Sequence, residues 1–142
     1  MASSDAGETP GRLKPSISIA TLCREVVPSP GGGLNLLDII EGLPIPPPPA
    51  TPPYVFRATI ACLLHFYSSA GAVSVLATIK DSTGRHFTDD LRQLLEVGPR
   101  DAGRWLLAPI ELRVEEPGVY RLEVSIDGEQ AARTPFHIRT AE

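Results

Sequence analysis

From Tyr120 to Ile126 every second residue is apolar, Tyr120, Leu122, Val124 and Ile126, while Arg121, Glu123 and Ser125 between them are polar. A period of two marks a strand with one buried face and one wet face. Pro117-Gly118 turns the chain into this run, and Asp127-Gly128 ends it with a pair suited to the positive φ angles of a two-residue hairpin turn. Glu129–Arg139 supplies the returning strand. The last third is therefore a β-hairpin, a feature that constrains the fold and names no chemistry.

The same alternation recurs upstream. Tyr54, Phe56, Ala58, Ile60, Cys62, Leu64 and Phe66 share one face of a run whose other face carries Arg57, Thr59 and His65. Ser68–Gly71 leads into Ala72–Lys80, where Val73, Val75, Ala77 and Ile79 alternate with Ser74 and Thr78. This pair reads as a long hairpin at the centre of a sheet. Pro15 opens an earlier strand with Ile17 and Ile19 on one face. Residues 34–43 have helix-compatible spacing but are short and lie between β-like segments, so they are assigned to a second strand.

Asp81–Gly84 is a turn, and Arg85–Thr88 can form a short strand. Residues 88–97 fit two templates. Thr88 can cap a helix with Asp89 and Asp90 in its first turn and Leu91, Leu94 and Leu95 on one side. Leu91, Leu95 and Val97 equally fit one face of a strand, which is preferred because a sandwich needs an element there that crosses between its sheets. Arg104–Val114 is a strand with Ile110, Leu112 and Val114 inward, and Pro109 confines it to an edge or a bulge. The expectation is all-β: a single antiparallel immunoglobulin-like β-sandwich of about seven or eight strands. Its Pro-Gly-x-Tyr entry places Tyr120 where a tyrosine corner would bond the preceding turn.

Composition narrows the function classes. The chain has 142 residues, 42% of them hydrophobic, enough for one domain with its own core. A net charge of −4 without any Lys/Arg block lacks the basic footprint of a nucleic-acid or membrane-surface binder. No apolar run approaches the roughly 20 residues that span a bilayer. Residues 1–14 are polar and read as a disordered leader rather than a secretory signal, leaving 15–142 as the domain and a cytoplasmic setting as the expectation. Two cysteines, Cys23 and Cys62, make no disulfide framework and suit a reducing compartment.

Chemistry-bearing patterns are sparse. His65, His86 and His137 are scattered over three segments with no HxH, CxxC or HExxH spacing, so no metal is expected. Asp81, Asp89, Asp90, Glu115, Glu116 and Asp127 lie near turns, where a calcium-binding sandwich collects carboxylates, although Asp81 and Asp127 also hold ordinary turn positions. No GxSxG, GxGxxG or P-loop occurs, and Cys23 with His86 is a nucleophile–base pair by composition only. No catalytic residue or cofactor is expected.

The binding candidates are the proline-rich loop at 44–53 and Trp105. Proline holds φ near −65° and suits polyproline II, in which Pro46, Pro49 and Pro52 would share one face for an aromatic groove; the alternative is a stiff connector. Trp105, the only tryptophan, would anchor an interface, although a tryptophan in a sandwich more often fills the core. The reading is a non-catalytic protein-binding or assembly module acting through a sheet edge, the end loops or the proline-rich loop, with Trp105, Pro46 and Pro49 as partner-binding residues. The alternative is a small-ligand or calcium sensor using acidic end loops.

Three segments carry a family resemblance: Ile19–Arg24, Asn35–Gly42 and Pro117–Tyr120. Over roughly 15–139 the chain resembles a family of small uncharacterised bacterial proteins, a domain of unknown function. Arg24 stands where an acidic residue follows the cysteine in that pattern, and the proline tract stands where a shorter connection is usual. The resemblance implies an immunoglobulin-like sandwich and brings no activity or site residue.

Overall fold

The computed structural model describes residues 15–66, 71–86, 90–98 and 102–140. The expected leader at 1–14, and Thr88 and Asp89 of the ambiguous segment, lie outside them. The described residues form nine strands and no helix: β1 Ser16–Pro28, β2 Leu34–Ile39, β3 Gly42–Ile45, β4 Tyr54–His65, β5 Gly71–Asp81, β6 Leu91–Val97, β7 Gly103–Val114, β8 Gly118–Ile126 and β9 Glu129–Thr140. They make two sheets, a five-stranded one ordered β3-β9-β8-β5-β6 and a four-stranded one ordered β2-β1-β4-β7.

The inner faces meet over one core in which Ile60, Cys62, Leu64, Leu112 and Val114 of the smaller sheet pack with Val75, Ile79, Leu122, Val124, Phe136 and Ile138 of the larger. Tyr120 donates its hydroxyl to the Glu116 carbonyl at 2.8 Å, the corner its position foretold. The fold is thus the expected immunoglobulin-like sandwich, with more strands than expected and one departure from antiparallel pairing. β3 runs parallel to β9, from His137 opposite Gly42 to Thr140 opposite Ile45.

That departure comes from residues 34–45. The single strand expected at 34–43 is two. Asp38 takes a φ of 55°, and past it the Ile40 amide still reaches Leu22 O of the small sheet at 2.8 Å. One residue on, Glu41 O accepts from the His137 amide of the large sheet at 2.9 Å. Leu43 and Ile45 are then buried and Pro44 exposed, so the alternation is kept after the switch of sheets.

The hairpin expected between β4 and β5 is corrected in the same way. β4 pairs with β1 and β7, β5 with β8 and β6, and the connection after Phe66 carries the chain from one sheet to the other. Two strands with equally apolar inner faces can face each other across a core as well as pair edge to edge, and periodicity does not separate the two. β6 is a strand at 91–97, as preferred, but it pairs with β5 within the large sheet. The crossing to β7 lies after it.

Prolines sit where a ladder can spare a donor. Pro109 is in the edge strand β7 and Pro44 in the edge strand β3. Pro135 precedes the point, His137, at which β9 gains β3 on its second side. The final hairpin turns through Asp127 and Gly128 with φ of 49° and 86°. Asp127 ties it to β5, accepting from the Ser74 amide at 2.9 Å and donating its own amide to Ser74 O at 2.8 Å.

The outer face of the large sheet is polar. Glu123 on β8 meets Lys80 on β5 at 3.2 Å, Arg133 on β9 at 3.7 Å and Arg121 two residues before it. The Arg121 hydrogen bond, with Lys80 behind it, holds the Glu123 carboxyl below its ordinary value. A depressed carboxylate stabilises the fold above its unfolded pKa and loses that contribution as the pH falls through the folded one. Glu123→Gln is therefore expected to cost about 1–2 kcal/mol at pH 7 and to flatten the acid limb of stability below the ordinary glutamate range. Urea titrations at stepped pH check this; parallel acid limbs for the two proteins would refute it.

Candidate functional site: the outer face of the small sheet

The opposite outer face has different chemistry. With Ile60, Cys62 and Leu64 of β4 in the core, Thr59, Ala61 and Leu63 must face outward. Register extends this face across the sheet. On β7, Trp105 stands opposite Leu63, Leu107 opposite Ala61 and Pro109 opposite Thr59. On β1, Ile19, Thr21 and Cys23 oppose Leu63, Ala61 and Thr59. On β2, Ile39 opposes Cys23 and Leu37 opposes Glu25.

Of the seven large hydrophobic residues left exposed among the described residues, five lie on this face: Ile19, Leu37, Ile39, Val55 and Leu107. Ile39 keeps 53% of its surface in water. The small side chains of Ala61 and Cys23 sit among these larger neighbours at 0% exposure. Ala61 and Cys23 thus form a shallow centre on the middle strands, and the flanking strands carry Trp105 and Leu107 on one side and Leu37 and Ile39 on the other. Charges gather at one end, where Glu111 meets Arg57 at 3.8 Å and Arg113 at 3.2 Å.

Ile19 reaches this face through a bulge. The sequence pattern puts Ile17 and Ile19 together, but the register slips between them: Ile17 opposes Leu64, and Ile19 opposes Leu63. One extra residue, Ser18, sends Ile17 to the core and Ile19 outward. Trp105 also departs from the commoner expectation of a core tryptophan. Leu112, Ile110, Ala108 and Leu106 alternate inward along β7, which leaves Trp105 outward and half-buried.

The three residues picked from the sequence do not form one site. Pro46 and Pro49 are exposed in the connection from β3 to β4, beside the Tyr54 end of β4. Trp105 lies opposite Leu63, roughly 30 Å along the strand. Nor is the tract a continuous polyproline II segment. Pro44 and Ile45 belong to β3, and the Ala50 amide closes a turn onto Pro47 O at 3.2 Å. The three-residue spacing of Pro46, Pro49 and Pro52 therefore does not put them on one face.

The remaining chemical candidates are occupied locally or kept apart. Asp81 Oδ1 accepts from the Thr83 amide at 2.8 Å, the Thr83 hydroxyl at 2.6 Å and the Arg85 amide at 3.0 Å, and these bonds hold its carboxyl below the ordinary value. His65 bonds Ser18 Oγ at 2.8 Å, and His86 lies 3.2 Å from Asp90. Among the described residues no three His, Cys, Asp or Glu side chains converge on a metal position. Burial pushes the Cys62 thiol up to about 12 and raises that of Cys23, so neither is a ready thiolate. Cys23 lies in the small sheet, and His86 bridges to Lys80 of the large one. No helix among the described residues is long and apolar enough to cross a membrane.

These features define an all-β sandwich domain with one polar outer face and one apolar outer face. The chain belongs to the family of unknown function DUF6941, which it matches over residues 18–139. No curated protein matches. Among solved structures it is similar to Pseudomonas fluorescens alkylpurine DNA glycosylase AlkC bound to DNA containing an abasic site analog, at 15% identity and a TM-score of 0.46, over 88% of this chain and 30% of that one. It is also similar to an immunoglobulin-like protein from Pseudomonas aeruginosa, at 12% identity and a TM-score of 0.40, over 90% of this chain and 98% of that one.

Proposed function

We propose that this domain is a non-catalytic protein-binding module whose contact surface is the outer face of the β2-β1-β4-β7 sheet. The observation that carries the reading is the clustering of Ile19, Leu37, Ile39, Val55 and Leu107 on that face. Strands about 4.8 Å apart with a rise of about 3.4 Å give the face an area on the order of 600–750 Å². One partner of a standard interface contributes about 800 Å². A cluster of exposed apolar residues on such a face, rimmed at one end by charges, marks an interaction site.

Sheet edges serve the proposal less well. β7 is blunted at its middle by Pro109, β3 by Pro44 and its four residues, β2 by its brevity and the turned backbone at Asp38, and β6 by Arg92 and Glu96. The acidic loops spend Asp81 on its own turn and Asp127 on the Ser74 amide of β5, which leaves the calcium-sensor alternative without a supporting constellation among the described residues. Buried neutral thiols and separated histidines likewise favour a role without catalysis.

The charges of the face balance, Arg57 and Arg113 against Glu111 and Glu25. The partner surface this suits is apolar with little net charge, and binding should depend weakly on salt. Leu107→Asp should abolish co-purification of the partner from native lysate at both low and high salt. Leu94→Asp, at a still more exposed leucine on the opposite sheet, should leave it intact. Equal loss in both variants, or survival of the complex in Leu107→Asp, would overturn the reading.

A further inference from the structure

The sandwich is not closed at the charged end of the small sheet. β1 pairs with β4 only from Ser16 opposite His65 to Cys23 opposite Thr59. β4 continues to Tyr54 against β7, while β1 beyond Cys23 pairs with β2 alone. The β1 side of Tyr54–Ala58 therefore has no strand beside it among the described residues. A cavity of about 540 Å³ opens in the gap.

Ile40, Leu43, Phe56, Ala58 and Ile110 line it from the inner face, and Val55, Thr59 and Pro109 from the outer face of the small sheet. Tyr54, Phe56, Ile40 and Ile110 point toward the core yet stay partly exposed, whereas Ile60, Cys62 and Leu64 farther along β4 are fully buried. Arg24 and Arg57 border the opening from β1 and β4. Each forms a solvent-exposed ion pair, Arg24 with Asp38 at 3.7 Å and Arg57 with Glu111 at 3.8 Å, and both arginine side chains are mostly in water. Glu111 is also engaged by Arg113, so two guanidinium groups share one carboxylate.

We infer that this cleft binds a single-chain anionic amphiphile, with the alkyl chain between the sheets and the carboxylate or phosphate head at Arg24 and Arg57. The volume falls in the range of about 300–1,000 Å³ usual for small-molecule sites. Apolar walls favour the chain, and the arginine forks at the mouth complement a carboxylate or phosphate. The site goes beyond the protein-binding reading: it meets that surface at Val55 and lies away from Trp105, Leu107 and Ile19.

The test is a titration of isotope-labelled protein with dodecanoate and dodecyl phosphate, followed by NMR. Saturable shifts at Ile40, Leu43, Phe56, Ala58 and Ile110 are expected with either head, and the tighter of the two identifies the head group. Dodecyltrimethylammonium should bind about tenfold or more weakly, and Arg57→Gln should weaken dodecanoate by about tenfold. Leu107→Asp should leave dodecanoate binding unchanged, so that this inference and the protein-binding reading fail separately. Shifts centred on Ala61, Leu63 and Leu107, equal affinity for the cationic amphiphile, or no saturable shift in the wild-type protein would each overturn it.

Discussion

Phe136→Ala is expected to destabilise the domain by about 4 kcal/mol, the largest loss anticipated for any single truncation here. Phe136 is 1% exposed on β9 and stacks on Tyr120 with ring centroids 5.9 Å apart and planes at 25°. Removing the ring forfeits its transfer energy, leaves a cavity between the sheets, and deletes an aromatic pair worth about 1 kcal/mol by itself. The cavity would lie beside the tyrosine corner, whose hydroxyl holds Glu116 O. Burial first, then the Asp81 and Glu116 charges, raise the Tyr120 phenol above its ordinary value. The neutral phenol's contribution is accordingly present below the unfolded tyrosine pKa and lost as the pH rises through the folded one. Against a total stability of about 5–15 kcal/mol, the loss at Phe136 takes a third or more of the margin. Urea unfolding should show a lower midpoint with the slope unchanged. A cost below about 1.5 kcal/mol would mean that the two sheets close over the gap, and that Phe136 is not a keystone of their contact.

Legibility of the sequence followed the range over which each signal acts. Alternation is local, and it located β4, β5, β8 and β9 and the inward set Ile110, Leu112 and Val114, because one buried face forces a period of two wherever it exists. Turn chemistry is local too, and Asp127-Gly128 and Asp81–Gly84 adopt the turns their residues favour. Sheet membership is not local. Whether β5 pairs with β4 or faces it across the core depends on partners far away in sequence, so the central hairpin was misread. The bulge at Ser18 defeated the pattern for a related reason. Nothing in the spacing of Ile17 and Ile19 announces that an extra residue will be left unpaired against β4. The apolar outer face therefore escaped detection from the sequence, since it exists only once the bulge, the register of β7 and the exit of β2 are combined. One sign was available: Leu107 and Trp105 share a parity opposite to Leu112 and Ile110, so a strand apolar on both faces was legible in 104–114.

Trp105→Ala separates the two roles that a tryptophan can take in this fold. Its side chain is half-buried and paired across strands with Leu63 on the outer face, so its loss should cost the monomer only about 1 kcal/mol. In the complex proposed above, the same residue would stand beside the fully buried Ala61 and the exposed Leu107, the setting of an aromatic anchor. Truncation should there cost about 2 kcal/mol or more, roughly thirtyfold in affinity. Both numbers are measurable, by urea unfolding for the monomer and by calorimetry with the purified partner for the complex. The protein has one tryptophan, so its fluorescence reports this position alone. In the free domain acrylamide should quench it, and partner binding should shift the emission to the blue and shield it. A monomer destabilised as severely as Phe136→Ala would instead make Trp105 a structural residue. An affinity unchanged in Trp105→Ala, with quenching equal in free and bound protein, would remove the small sheet's outer face from the interface and send the search to the end loops and the proline-rich connection.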